Sequence, residues 1–155
     1  MDTMVMCLCL LQALYSDTSD SWNEKIDQGI PDRISVCVSV LDAAVEMSVP
    51  PNLAAAVAWR ESKFNNAAVS KAGARGAMQV LPKYWCPDGK LDGCDLVREG
   101  VRSLGVYLKK YGGDEKEALC HYNSGNKCTR KSRNYSKRVI RAKKRLDFLE
   151  ALLSD

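Results

Sequence analysis

Glu61 is the residue in this sequence that packing alone explains least well. Residues 52–63, NLAAAVAWRESK, follow Pro50 and Pro51, are rich in Ala and hold no internal Gly or Pro, so the spacing predicts a helix over Asn52 to Lys63. At about 100° per residue, Leu53, Val57 and Glu61 share one arc of roughly 80°, with Ala54 and Ala58 beside it. A carboxyl on that core-facing stripe loses water, and its pKa rises. A carboxylic acid held partly neutral at physiological pH can protonate a leaving oxygen, which is what the acid does in glycosidic bond cleavage. The plainer alternatives are an ion pair, since Arg60 lies about 20° to the other side of Leu53, or a solvated surface carboxylate.

Seven cysteines and one histidine are the other groups with chemistry to offer. Cys86/Cys94 and Cys120/Cys128 each enclose seven residues, and both pairs could close local disulfides. Spacing does not fix the pairing, and cross pairs such as Cys86 with Cys120 stay open. Cys37 could be plain core, while Cys7 and Cys9 lie in the N-terminal segment. Disulfides would imply an oxidising destination. Zinc held by these cysteines and His121 is the rival, but the sequence has no C-x-x-C spacing, so no metal is expected. A Cys120 nucleophile activated by His121 is disfavoured, because neighbours on a helix point about 100° apart and no third group orients them.

Downstream of Glu61 the chain carries ordered blocks. Glu61-Ser62, then Ser70, then Gly73-Ala-Arg-Gly-Ala-Met-Gln79 resembles the signature of the soluble lytic transglycosylases, whose catalytic domain has a goose-type lysozyme-like fold. His121-Tyr122-Asn123-Ser-Gly125 resembles that family's Ala-Tyr-Asn-Ala-Gly block, and Asn134-Tyr135 followed by Val139 resembles its final Asn-Tyr block. The resemblance covers about residues 45 to 145. It implies a mainly α, lysozyme-like single domain with a glycan-binding cleft. The implied activity is cleavage of the β-1,4 bond between N-acetylmuramic acid and N-acetylglucosamine in peptidoglycan, without a cofactor. Glu61 would then be the sole acid and afterwards the base. By the same resemblance Ser70, Gln79, Tyr122 and Asn123 would line the cleft, and Tyr135 would bring its hydroxyl near the reacting centre. Each has a plainer reading: Tyr135 also begins the apolar stripe of the last helix, and Asn123 could cap a turn. Two positions depart from the family pattern, His121 where a small residue is usual and Ala77 where a bulky one is usual.

A glycosidase that hydrolyses ordinarily needs a second carboxylate. The next acids after Glu61 are Asp88, Asp92 and Asp95, in a stretch where Asp is expected for turn formation, and 65–84 holds none. This favours an intramolecular finish with a 1,6-anhydromuramoyl product. The alternatives are lysozyme-type muramidase hydrolysis, or a non-catalytic module that binds glycan or nucleic acid.

Several elements must position these groups. Val36, Val40, Ala43, Ala44 and Met47 predict a helix over Ile34 to Met47, packed on the Glu61 helix. Asn65 to Ser70 is short and polar, and Gly73 and Gly76 are expected to allow close backbone approach. Tyr84 to Asp95 is a turn-rich excursion. Leu96 to Tyr111 restores a helix, Gly112-Gly113 ends it, and Asp114 caps a short helix over Glu115 to Tyr122. Tyr135, Val139, Ala142, Leu146 and Leu149 mark the last one.

The length fits one domain, divided here into an extension over 1–31 and a catalytic domain over 32–155. Met4 to Leu11 is too short to span a bilayer. Segment 4–15 is weakly signal-like, lacking a positive leader and a clear cleavage site, and an amphipathic or packed segment is the other reading. Ser16 to Asp32 is polar and acidic, an extension or linker. The net charge of +4 conceals a division, since 127–145 holds ten Lys or Arg and no acid. Besides a solvated helix face, that segment suits anionic envelope polymers better than nucleic acid, because it lacks interleaved aromatics. With the disulfides, it points to an extracytoplasmic protein, at the envelope or carried by a phage particle or secretion system.

Overall fold

The computed structural model describes residues 3–15 and 29–154. All regular structure among them is helical: α1 (Thr3–Tyr15), α2 (Ile30–Glu46), α3 (Pro51–Ser62), a single turn α4 (Pro82–Trp85), α5 (Leu96–Lys110), α6 (Glu115–Ser124) and α7 (Arg130–Leu153). The acidic stretch read as a linker lies mostly outside the described residues. No described helix is long and apolar enough to cross a membrane.

α3 is the hub, packed against α2 on one side and α7 on another. Every residue from Asn52 to Trp59 is buried, so its four alanines serve to let neighbouring helices approach from all directions rather than to draw an apolar stripe. Pro51 opens it where the missing N–H costs nothing. α5 is amphipathic and capped by the Asp95 carboxylate, which accepts from the Arg98 N–H at 3.0 Å. α6 is capped likewise by Asp114, and α7 by a reciprocal Thr129–Ser132 box. Leu53, Val57, Phe64, Met78, Leu104, Leu119 and Leu146 fill the centre with no exposure.

α1 packs on α2, burying Cys7, Leu10 and Leu11 in the same core, and a disulfide joins Cys7 to Cys37. Both local pairs also form, Cys86–Cys94 and Cys120–Cys128, leaving Cys9 free. The predicted helix bounds shift modestly. The second helix starts at Ile30 rather than Ile34, because Pro31 suits a first turn, and the Glu61 helix stops at Ser62.

Candidate active site

Glu61 occupies the last turn of α3, and the chain behind it is forced to leave abruptly. Lys63 (φ 54°) and Phe64 (φ 60°) are successive left-handed residues, a costly conformation for a ring-bearing side chain. Complete burial of Phe64, with Trp59 tilted against it at 6.1 Å, offsets that cost. The Lys63 N–H donates to Trp59 O at 2.9 Å, and the Arg33 guanidinium donates to the Lys63 carbonyl at 2.7 Å, so α2 closes the helix end. Ser62 Oγ donates to Ala77 O at 2.8 Å and accepts from the Asn65 N–H at 3.0 Å. That hydroxyl fastens the end of α3 to the Gly-rich loop, a role that the Glu61-Ser62 block of the sequence does not specify. A hydroxyl next to an acid at a buried helix end was the available signal.

The loop 65–81 is held by short bridges rather than a sheet, Val69 to Arg75 and Arg75 to Val80. Its two glycines do different jobs. A Cβ on Gly76 would sit 2.8 Å from Leu96 Cβ, so close approach is real there. Gly73 meets nothing within 4 Å, contrary to the close approach expected of it, and is needed instead for its φ of 85°. Ser70 Oγ accepts from the Ala74 N–H at 3.0 Å. Gln79 sits at φ 52° with its amide nitrogen donating to Ala68 O (3.1 Å) and Gly76 O (2.9 Å). Both side chains thus shape the loop, and each is half-buried. The fully buried Met78 lies against Gly100 of α5, where any Cβ would overlap its side chain.

Two phenols converge on Glu61. Tyr122 of α6 donates to the Met78 carbonyl at 2.5 Å, tying α6 to the loop. Tyr135, in the second turn of α7, is buried, and its hydroxyl interacts with the Glu61 carboxyl without making a well-formed hydrogen bond among the described residues. Burial first, and then the Glu61 charge, push both phenols well above their ordinary range. Glu61 itself is raised above the usual carboxylate value, because burial penalises its charged form; Tyr135 and Arg60 pull the other way without cancelling it. Its place at a helix C-terminus, where carbonyl dipoles point outward, acts in the same direction as burial. Among the described residues, no carboxylate is one of the groups that perturb it.

The remaining candidates stand apart from this cluster. Asn123, near the end of α6, is exposed. His121 Nδ1 lies 2.6 Å from Gly125 O, and its ring stacks on Tyr111 at 4.4 Å, which closes the end of α6. Glu117, His121 and Cys128 bring donor atoms within 4.8 Å of one another, but Cys128 is bonded to Cys120. Asp88, Asp92 and Asp95 are exposed, and Asp95 caps α5.

An all-helical body built around one buried helix, with a raised carboxyl at its end between two phenols, defines a lysozyme-like domain. The family model of the transglycosylase SLT domain matches residues 39–144, well over half of the chain. The chain belongs to that transglycosylase family.

Proposed function

We propose that this protein is a peptidoglycan lytic transglycosylase, with Glu61 as its one acid and then its base. The reading rests above all on the Glu61 carboxyl: it is raised by burial, it opens the blocks that resemble the family signature, and among the described residues the groups acting on it are Tyr135 and Arg60 rather than a second carboxylate. Glu61 gives its proton to the oxygen leaving the muramoyl anomeric carbon. As a carboxylate it then takes the proton of the muramoyl 6-hydroxyl, which closes on that carbon. The buried Tyr135 hydroxyl donates to a substrate oxygen beside the acid. Tyr122 positions the loop through Met78, and Ser70, Gln79 and Asn123 border the glycan path. The substrate places the enzyme outside the cytoplasm, which agrees with three disulfides. The exposed cations of α7, among them Lys137, Arg138 and Lys144, favour anionic envelope polymers, although Lys143 is paired with Glu115 and Asp147.

Clearing of purified cell walls tests the reading. Wild-type protein should lower their turbidity, and Glu61→Gln should lose about 10² to 10⁴-fold in rate while still sedimenting with the walls. A variant that kept more than about a tenth of the rate would place the acid elsewhere, and wild-type protein that bound without clearing would point to a binding module.

A further inference from the structure

The excursion between Tyr84 and Asp95 has no part in the chemistry around Glu61, yet it is among the most tightly restrained segments of the surface. Leu81 and Pro82 start α4, and the Trp85 N–H donates back to Leu81 O at 3.2 Å. Cys86, the next residue, is bonded to Cys94. Arg102 of α5 donates to the Trp85 carbonyl at 3.1 Å and lays its guanidinium over the indole at 5.3 Å. Tyr107 stands 6.0 Å from the same indole. All these restraints hold a ring that is only partly buried, beside Tyr84, which is 68% exposed.

The row continues inward. Tyr107 meets Tyr122 edge-on at 6.3 Å, and Tyr122 lies close enough to Glu61 for the carboxylate to raise its pKa. Three rings therefore lead from the candidate acid to the surface, in two steps comparable to the length of two linked sugars. The apolar C–H face of a pyranose packs well on an aromatic face. A ring already fixed in place loses little conformational freedom when it binds. Trp85 also packs against the core, but with its carbonyl, one face and one edge held, the part of the ring that stays exposed is fixed in place.

We propose that Trp85, presented by the disulfide-closed excursion, is an outer subsite that stacks an N-acetylhexosamine ring of the glycan strand and makes the enzyme prefer long strands to short ones. The proposal rests on the peptidoglycan reading above and adds to it a residue outside the reacting centre. Trp85 is a positioning residue and touches none of the reacting atoms.

Glycan strands freed of peptide by an amidase and sorted by length are the probe, and binding is measured in the Glu61→Gln background so that nothing is cleaved. Adding Trp85→Ala should weaken long strands about tenfold and leave the shortest fragments unchanged. Trp85→Phe should keep most of the long-strand affinity, whereas Trp85→Leu, closer to Phe in bulk but without a ring, should lose it. The Phe and Leu variants carry the test if the Ala variant folds poorly. In the active enzyme, Trp85→Leu should raise KM on long strands with kcat nearly unchanged, a split that a merely structural role would not produce. Equal long-strand affinity in the Phe and Leu variants, or equal loss at every length, overturns the subsite. Failure of the Glu61→Gln protein to bind any strand would overturn the peptidoglycan reading itself, and the subsite with it.

Discussion

At the scale of single residues, the informative pair is Glu61 and Tyr135, because the fold leaves each in a state that costs stability. The buried Tyr135 hydroxyl reaches the Glu61 carboxyl without a well-formed hydrogen bond, and so recovers only part of the hydrogen bonding it had in water. Tyr135→Phe removes the hydroxyl and keeps the ring, so we expect stability in urea denaturation to change by less than about 1 kcal/mol while the Glu61 carboxyl, losing that contact, is raised further. The variant should also lose about tenfold to a hundredfold in kcat, as expected on removing a donor aimed at a reacting oxygen. A variant that clears walls at the normal rate removes Tyr135 from the site. Glu61 follows the same logic through pH. With its pKa raised by burial, the folded state keeps a proton that the unfolded chain has already released, so this group's contribution is complete below the ordinary carboxylate value and is lost as pH rises through the raised one. Glu61→Gln, neutral throughout, should therefore melt above wild type at neutral pH, with the gap closing below about pH 4. A gap that is constant with pH would mean that Glu61 titrates normally.

At the scale of elements, the loop 65–81 is positioned from three sides: Ser62 on α3, Tyr122 on α6 and Gly100 on α5. Gly100 is the least expected, since glycine inside a helix costs about 1 kcal/mol relative to alanine. A Cβ there would overlap Met78, so Gly100→Ala should destabilise the protein by about 2 kcal/mol despite its better helix propensity. It should also slow wall clearing by moving the Met78 carbonyl that holds Tyr122. Unchanged urea midpoint and rate would show that the contact has slack. The sequence announced the helices through caps, prolines and apolar spacing, and announced the loop through its Gly, Met and Gln block. Sharing an arc with Leu53 and Val57 does not single out Glu61, because α3 is buried all round from Asn52 to Trp59 and the acid matters by lying at its end. The Cys7–Cys37 bridge and the Gly100–Met78 contact join positions far apart in the chain, where local spacing carries no signal. Ser70 and Gln79 illustrate a related limit: a motif names the residue but not whether its side chain faces the ligand or, as here, hydrogen-bonds its own loop.

At the scale of the whole molecule, the distribution of carboxylates bears on the fate of the cut glycan. A retaining hydrolase needs a second carboxyl about 5 Å from the acid, and an inverting one needs it about 6.5 to 9.5 Å away. Around Glu61 the fold gathers Tyr122, Tyr135, Arg60 and the carbonyl ends of α3, while Asp88, Asp92 and Asp95 stand exposed on the excursion and at the cap of α5. On the proposed reading, with no second carboxylate acting on Glu61 among the described residues, the competent nucleophile is the substrate's own 6-hydroxyl, which tethering gives a high effective molarity. We therefore expect 1,6-anhydromuramoyl ends from digested peptidoglycan, each lighter by one water than a hydrolysed end and resistant to borohydride, as read by mass spectrometry before and after reduction. Replacing Asp88, Asp92 and Asp95 together by Asn should leave the proportion of anhydro ends unchanged. Predominantly reducible muramic ends, lost in the triple variant, would instead make the enzyme a hydrolase that recruits the excursion for its second carboxylate.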